Sequence, residues 1–144
     1  MNQVHLRQRI LELFPVFSSL PPAVLDEVLN RGQVRQAPKG TVLFKANSPC
    51  RGFSLLLSGT VRVVQLGASG RELELYRVRP GEGCVITTSC LLGRTDYTAT
   101  GIAETEVTVF SIPPGLFNDL IAREEPFRDY IFGLFSKLPR SWGW

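Results

Sequence analysis

Between Pro80 and Ala103 the chain reads PGEGCVITTSCLLGRTDYTATGIA. Pro80, Gly81 and Gly83 form a turn, and behind it lies a short apolar stretch, Val85 and Ile86 followed by the hydroxyl residues Thr87, Thr88 and Ser89. A second turn, Gly93 to Asp96, feeds a strand-like segment from Tyr97 through Thr98 and Ala99 to Ala103. Strand, turn, one helical turn and strand again is an arrangement that aims free backbone N–H groups at a small anion. It has the frame of a phosphate cradle, with no arginine where a charged phosphate partner is expected. The three hydroxyls equally suit simple capping of the helical turn. Cys84 and Cys90 flank the segment. Thiols beside helix N-termini can be reactive, and otherwise serve as small buried hydrophobes.

The rest of the composition narrows the chemistry. The chain has 144 residues, 44% of them hydrophobic, which fits one domain with a packed core and argues against disorder. A net charge of +3, with scattered basic residues, gives no phosphate-backbone patch for nucleic acid. No apolar run approaches the roughly 18–20 residues that span a bilayer. The N-terminus MNQVHLRQRI lacks a secretory apolar core. A cytoplasmic protein without a membrane partner is therefore expected. Three cysteines with no CxxC pair, and a lone His5, predict neither a disulfide framework nor a metal site. No paired carboxylates, His-centred constellation or nucleophile elbow points to an enzyme.

Hydrophobic spacing supplies the scaffold. Leu6, Ile10, Leu11, Phe14 and Phe17 suit an amphipathic helix that ends near Pro15. Ser18 or Ser19 would cap the next helix, Pro21 and Pro22 fit its first turn, and Gly32 stops it. From Val34 to Ile112 short β-type runs alternate with turn residues every 8–12 positions or so, as in sandwiches and small barrels. Seven strands are expected: 34–36, 41–44, 53–57, 60–65, 72–78, 97–102 and 106–112. Ser58-Gly59 reads as a tight hairpin, and Leu66 to Glu72 as a looser, exposed one. Pro113-Pro114 opens a helix, and a second helix from about Glu124 carries Phe127, Tyr130, Ile131, Phe132, Leu134 and Phe135 until Pro139 breaks it. Trp142 and Trp144 follow.

This order resembles the cyclic-nucleotide-binding effector domain of the Crp/Fnr, or catabolite-activator, family of bacterial transcription regulators, over about residues 12–137. LFPVFSSLPPAVLDEVL (13–29) looks like the family's leading helices, and PKGTVLFKANSP (38–49) like its first strand pair. GFSLLLSGTVRV (52–63) is similar to its most recognisable strand pair, and RPGEGC (79–84) to the Pro-Gly before its phosphate-binding cassette. The resemblance implies a mainly β fold, a double-stranded β-helix or jelly-roll-like barrel with flanking helices. One sensor domain over 1–144 is expected, with helices at about 3–31, a β-roll at about 34–112 and helices at about 114–137.

In nucleotide-binding members a Gly-Glu pair opens the cassette helix, with the Glu on the ribose hydroxyl. An Arg before Ser/Thr-Ala pairs with the cyclic phosphate. Here Thr98-Ala99 match the latter pair, Tyr97 takes the Arg position, and the Glu falls on Ile86 or Thr87. Each missing charged hydrogen bond forfeits about 1.5–3 kcal/mol, so the site is expected to be degenerate for cyclic AMP or GMP, and no cofactor is expected, with a cyclic nucleotide as the alternative. The expected pocket is Val85 to Ser89 with Tyr97 to Ala99, taking an unidentified small-molecule or anionic effector. Arg94, three residues before Tyr97, is the one arginine that could restore cyclic-nucleotide binding; as a plain turn residue it would not. A redox switch at Cys84 or Cys90, and a pocket closed by Ile86 and Tyr97, are the other readings. No cysteine precedes Cys50, which excludes the N-terminal iron–sulfur group of some members. The family further implies a homodimer through the C-terminal helix, and DNA binding only through a helix-turn-helix module that these residues do not include.

Overall fold

Two helices and a 3-10 turn lead into the first strand. In α1 (Gln3–Leu13) Leu6 and Ile10 stand one turn apart and are buried, and the Asn2 side chain caps the helix by accepting the N–H of His5 at 2.9 Å. The computed structural model describes residues 2–67 and 69–135. In α2 (Pro22–Arg31) a proline occupies the first helical position and Leu25, Val28 and Leu29 are buried. The expected serine cap does not form. Pro21 holds the cap position, and the Ser18 hydroxyl instead donates to the Pro15 carbonyl at 2.7 Å inside the 3-10 helix Pro15–Ser19. Gly32 ends α2 with extended backbone, so left-handed freedom is not its role. A Cβ there would stand 2.1 Å from Cζ of Phe110; only glycine lets that ring pack against the backbone.

Seven strands follow: β1 (Gln33–Ala37), β2 (Val42–Phe44), β3 (Phe53–Ser58), β4 (Val61–Leu66), β5 (Glu72–Val78), β6 (Thr100–Ala103) and β7 (Val107–Ile112). They form two antiparallel sheets, ordered β1-β7-β3 and β2-β6-β4-β5. This is a jelly-roll-like β-roll with flanking helices, as the resemblance implied. The Gly67–Gly70 turn joins β4 to β5 as a hairpin, with the Gly67 N–H donating to the Arg71 carbonyl at 2.7 Å. Ser58-Gly59 is not a hairpin. β3 pairs with β7, whereas β4 pairs with β5 and β6, so this turn carries the chain from one sheet to the other. Gly59 has φ +86°, and a Cβ there would lie 2.2 Å from the Glu106 carbonyl oxygen.

After β5 comes α3 (Val85–Gly93), nine residues rather than the single turn expected, and after β7 come α4 (Pro114–Arg123) and α5 (Glu125–Phe135). The Arg128 guanidinium on α5 donates to the carbonyls of Ile121 (2.8 Å) and Ala122 (3.3 Å), closing the C-terminal end of α4. The expected break at Pro139, and Trp142 and Trp144, lie outside the described residues.

The interior divides into two apolar clusters. One joins α1, α2, α4 and α5 to the outer face of the β3–β7 sheet, with Phe17, Phe53, Phe117 and Phe127 at its centre. The other lies inside the roll, around Leu56, Val61, Val63, Val78, Ala99 and Val107. α3 is buried along most of its length, with Val85 to Thr88, Cys90 and Leu91 all covered. It gives Val85 and Leu91 to the first cluster and Ile86 and Cys90 to the second.

Candidate functional site

The cradle expected at the start of α3 is present as backbone and is already occupied. Cys84 holds the cap position with extended backbone and no side-chain cap bond. The hydroxyl of Tyr76, on β5, accepts the N–H of Ile86 at 3.2 Å. It lies 3.4 Å from the Cys84 sulfur, where its own proton can point. Burial, with the Cys84 thiol adding to it, pushes the Tyr76 phenol far above its usual range, so it remains neutral. A neutral hydroxyl therefore stands on an N–H group that would otherwise face an anion.

Sequence reasoning missed Tyr76, because strict alternation along Glu72–Val78 would turn Leu73 and Leu75 inward. A β-bulge intervenes. Val63 faces Tyr76 and the next residue, Val64, faces Glu74, so Leu75 has no opposite. Tyr76 keeps the inner face of Val78, two residues further on, and the bulge changes the face only of the residues before it, Leu73 among them.

The threonines are turned to local work. Thr87 and Thr88 are buried, and both hydroxyls donate to the Cys84 carbonyl, at 3.2 and 2.7 Å. Tyr97, at the position where nucleotide-binding members carry Arg, is buried. Its ring packs on Phe44 with centroids 5.0 Å apart, and its hydroxyl accepts the Arg51 N–H at 3.1 Å. Burial raises the Tyr97 phenol to about 12.

Beside these groups, between the two sheets, lies a cavity of about 300 Å³. Leu56, Val61, Val78, Phe44 and Val109 supply its apolar walls, Ser54 and Ser111 add hydroxyls, and Arg35 and Arg51 stand on its rim. Of the residues expected to form a pocket, Thr87 and Tyr97 line this cavity, together with Cys84. Val85, Ile86, Thr88, Ser89, Thr98 and Ala99 do not: α3 turns Val85 into the helical core, and Thr98 faces solvent. The interior is thus not closed by Ile86 and Tyr97. Arg94 is exposed at the far end of α3 in left-handed conformation (φ 52°), on a separate cavity with Cys50 and Cys90.

The two rim arginines lack a carboxylate partner among the described residues. Arg35 reaches only the neutral Gln33 side chain at 3.1 Å, and neither enters the ion pairs that engage Arg7, Arg31, Arg62 and Arg77. Nothing in the sequence distinguished Arg35 or Arg51 from other surface arginines; the sheet pairing brings them together.

The family model of the cyclic nucleotide-binding domain matches residues 34–124, from β1 to the end of α4. The chain belongs to that family. Among solved structures, one similar to it is a protein assigned to the Crp/Fnr family of transcriptional regulators from Eubacterium rectale: TM-score 0.78, 26% identity, 87% of this chain and 58% of that one covered. The sensor domain of the transcriptional regulator DNR from Pseudomonas aeruginosa superimposes with TM-score 0.80 at 21% identity, over 93% of this chain and 88% of that one. The catabolite activator protein of Thermus thermophilus gives TM-score 0.70 at 24% identity, over 85% and 57%. The chain therefore spans little more than half the length of two of these three. No protein of curated function matches the sequence. Among the described residues no helix is long and apolar enough to cross a membrane.

Proposed function

We propose that the chain is the effector-sensing domain of a Crp/Fnr-type transcriptional regulator, a binding module rather than an enzyme, and that its effector is a compact, largely apolar anion other than a cyclic nucleotide. The observation that supports this reading is the Tyr76 hydroxyl seated on the Ile86 N–H at the start of α3. A cyclic phosphate would have to displace it, with no guanidinium at position 97 to compensate. Arg94 offers little help: about 13 Å of helix separates it from that N-terminus. The apolar walls and the two unpaired rim arginines of the neighbouring cavity favour an apolar body with one negative end.

α3 supports a route for the signal. Its flank Gly83 touches Leu134 of α5, where a Cβ would come within 2.7 Å of the leucine methyls, while Thr87 touches the cavity. A ligand that prefers one placement of α3 would bias α5, the element this reading assigns to a homodimer contact. Phe132, on α5, is 55% exposed and suits such a contact. DNA recognition belongs in this reading to a helix-turn-helix module of the whole regulator.

Calorimetric titration with cyclic AMP is expected to show no binding in the micromolar range, and micromolar or tighter affinity would sink the reading. Titration with octanoate, a simple apolar carboxylate, is expected to show binding that Arg51→Gln weakens about tenfold, the loss of one charge-assisted hydrogen bond.

A further inference from the structure

Cys50 lies in the loop between β2 and β3, and Cys90 in the second half of α3, forty residues further along the chain. The fold brings them to one cavity of about 320 Å³ on the flank of the roll, shared with Arg94, Asp96 and Pro114. Both thiols are free and face this same cavity. Each thiol meets a backbone carbonyl. Cys90 Sγ donates to the Thr95 carbonyl at 2.9 Å, and Cys50 Sγ points at the Thr87 carbonyl at 3.9 Å. Cys84, the remaining cysteine, is engaged elsewhere, against the Tyr76 hydroxyl.

We propose that Cys50 and Cys90 form a reversible modification site, a dithiol that a hydroperoxide closes to an intramolecular disulfide. This inference is independent of the effector assigned to the roll cavity. Cys50 is half-exposed and Cys90 buried, so the peroxide meets Cys50 first. The Cys50 sulfur attacks the O–O bond, forming a sulfenic acid and releasing an alcohol that takes the Cys50 proton. The Cys90 sulfur then attacks the Cys50 sulfur, and the S–O bond breaks. The departing hydroxide takes the Cys90 proton and leaves as water. Two thiols lose two electrons in total, and one hydroperoxide is reduced to alcohol and water.

Two features shape the behaviour. Burial first, and the neighbouring Cys50 thiol second, raise Cys90 to about 12. The resolving sulfur is therefore a protonated thiol at neutral pH, and closure is expected to be slow and to quicken as pH rises. Closure also acts at a distance. Arg51, the residue after Cys50, is held by the Tyr97 hydroxyl, and both line the roll cavity. Drawing Cys50 towards Cys90 therefore pulls on that rim.

The full chain, reduced, is treated with hydrogen peroxide, blocked with iodoacetamide and digested without reductant for mass spectrometry. The expected product is a Cys50–Cys90 linked peptide, lighter by two hydrogens than the separate peptides, with Cys84 alkylated once the chain is unfolded. Dithiothreitol restores both thiols. Cys84→Ser is expected to leave the link intact, and Cys90→Ser to trap oxidised Cys50, with circular dichroism verifying that each variant is folded. A link that includes Cys84, or folded protein in which Cys50 proceeds to sulfinic acid without any link, would overturn the proposal.

Discussion

The two cores of this domain are packed in different ways. On the helical side, four phenylalanines interlock. Phe127 meets Phe17, Phe53 and Phe117 edge-on, with ring centroids 5.8–6.0 Å apart, and Phe53 and Phe117 lie 5.2 Å apart. Inside the roll the residues are smaller, valines and alanines with the Phe44–Tyr97 pair at one edge, and a cavity of about 300 Å³ is left between the sheets. The difference separates two tasks. The aromatic cluster fixes the helices to the sheet, while the roll keeps room for a guest at some expense in packing. α3 belongs to both cores: Val85 and Leu91 pack in the first, Ile86 and Cys90 in the second.

The comparison breaks most sharply at Phe127. Phe127→Ala is expected to lower stability by about 3–5 kcal/mol, since a fully buried ring would leave a void among its partners. Leu56→Ala, which enlarges a cavity already present, is expected to cost about 2 kcal/mol, the low end for such a change. Urea unfolding of both variants measures the contrast, and equal losses would mean that the two cores are equally tight.

A smaller effect is expected at the cradle. Tyr76→Phe strands the Ile86 N–H group and should cost about 1–3 kcal/mol. Added phosphate should recover part of that loss in the variant and do little for the parent protein, which thermal shift in a phosphate series would show. A parent protein stabilised as strongly as the variant would mean that Tyr76 does not fill the cradle.

High pH tests the roll edge. The unfolded Tyr97 phenol ionises near 10 and the folded one near 12. The unfolded chain gives up this proton first, so stability holds below pH 10 and declines as pH climbs to 12. Tyr97→Phe should flatten that decline in denaturation midpoints taken across the same range. Tyr130 is raised to about 12 by burial alone, and its hydroxyl has no hydrogen-bond partner among the described residues. Tyr130→Phe should therefore leave stability at neutral pH within about 0.5 kcal/mol or raise it slightly, the smallest change in this set. A loss above 1 kcal/mol would reveal a partner for that hydroxyl.

Local chemistry was legible wherever a residue's backbone needs show in its own neighbourhood. Prolines at the starts of α2 and α4, the Gly67–Gly70 hairpin and the alternation that marks the strands all act within a few residues. Ser58-Gly59 misled because a glycine with positive φ serves a corner between sheets as well as a hairpin, and only the pairing of β3 with β7 separates the two. The cradle was legible as backbone, and its occupant was not. Tyr76 shares the face of Val78, while a bulge at Leu75 breaks the alternation that Leu73 and Leu75 suggest, and no residue type announces that bulge.

By itself the sequence determined the alternation of strands and turns, the helices at each end and the position of the cassette, because these follow from side-chain periodicity and from the φ angles that proline and glycine permit. Only the tertiary structure decided that Tyr76 closes the cradle, that Arg35 and Arg51 share a rim, and that Cys50 lies against Cys90. Those contacts join residues that are apart along the chain, and their free energy exists only once sheet register and packing have brought the partners together.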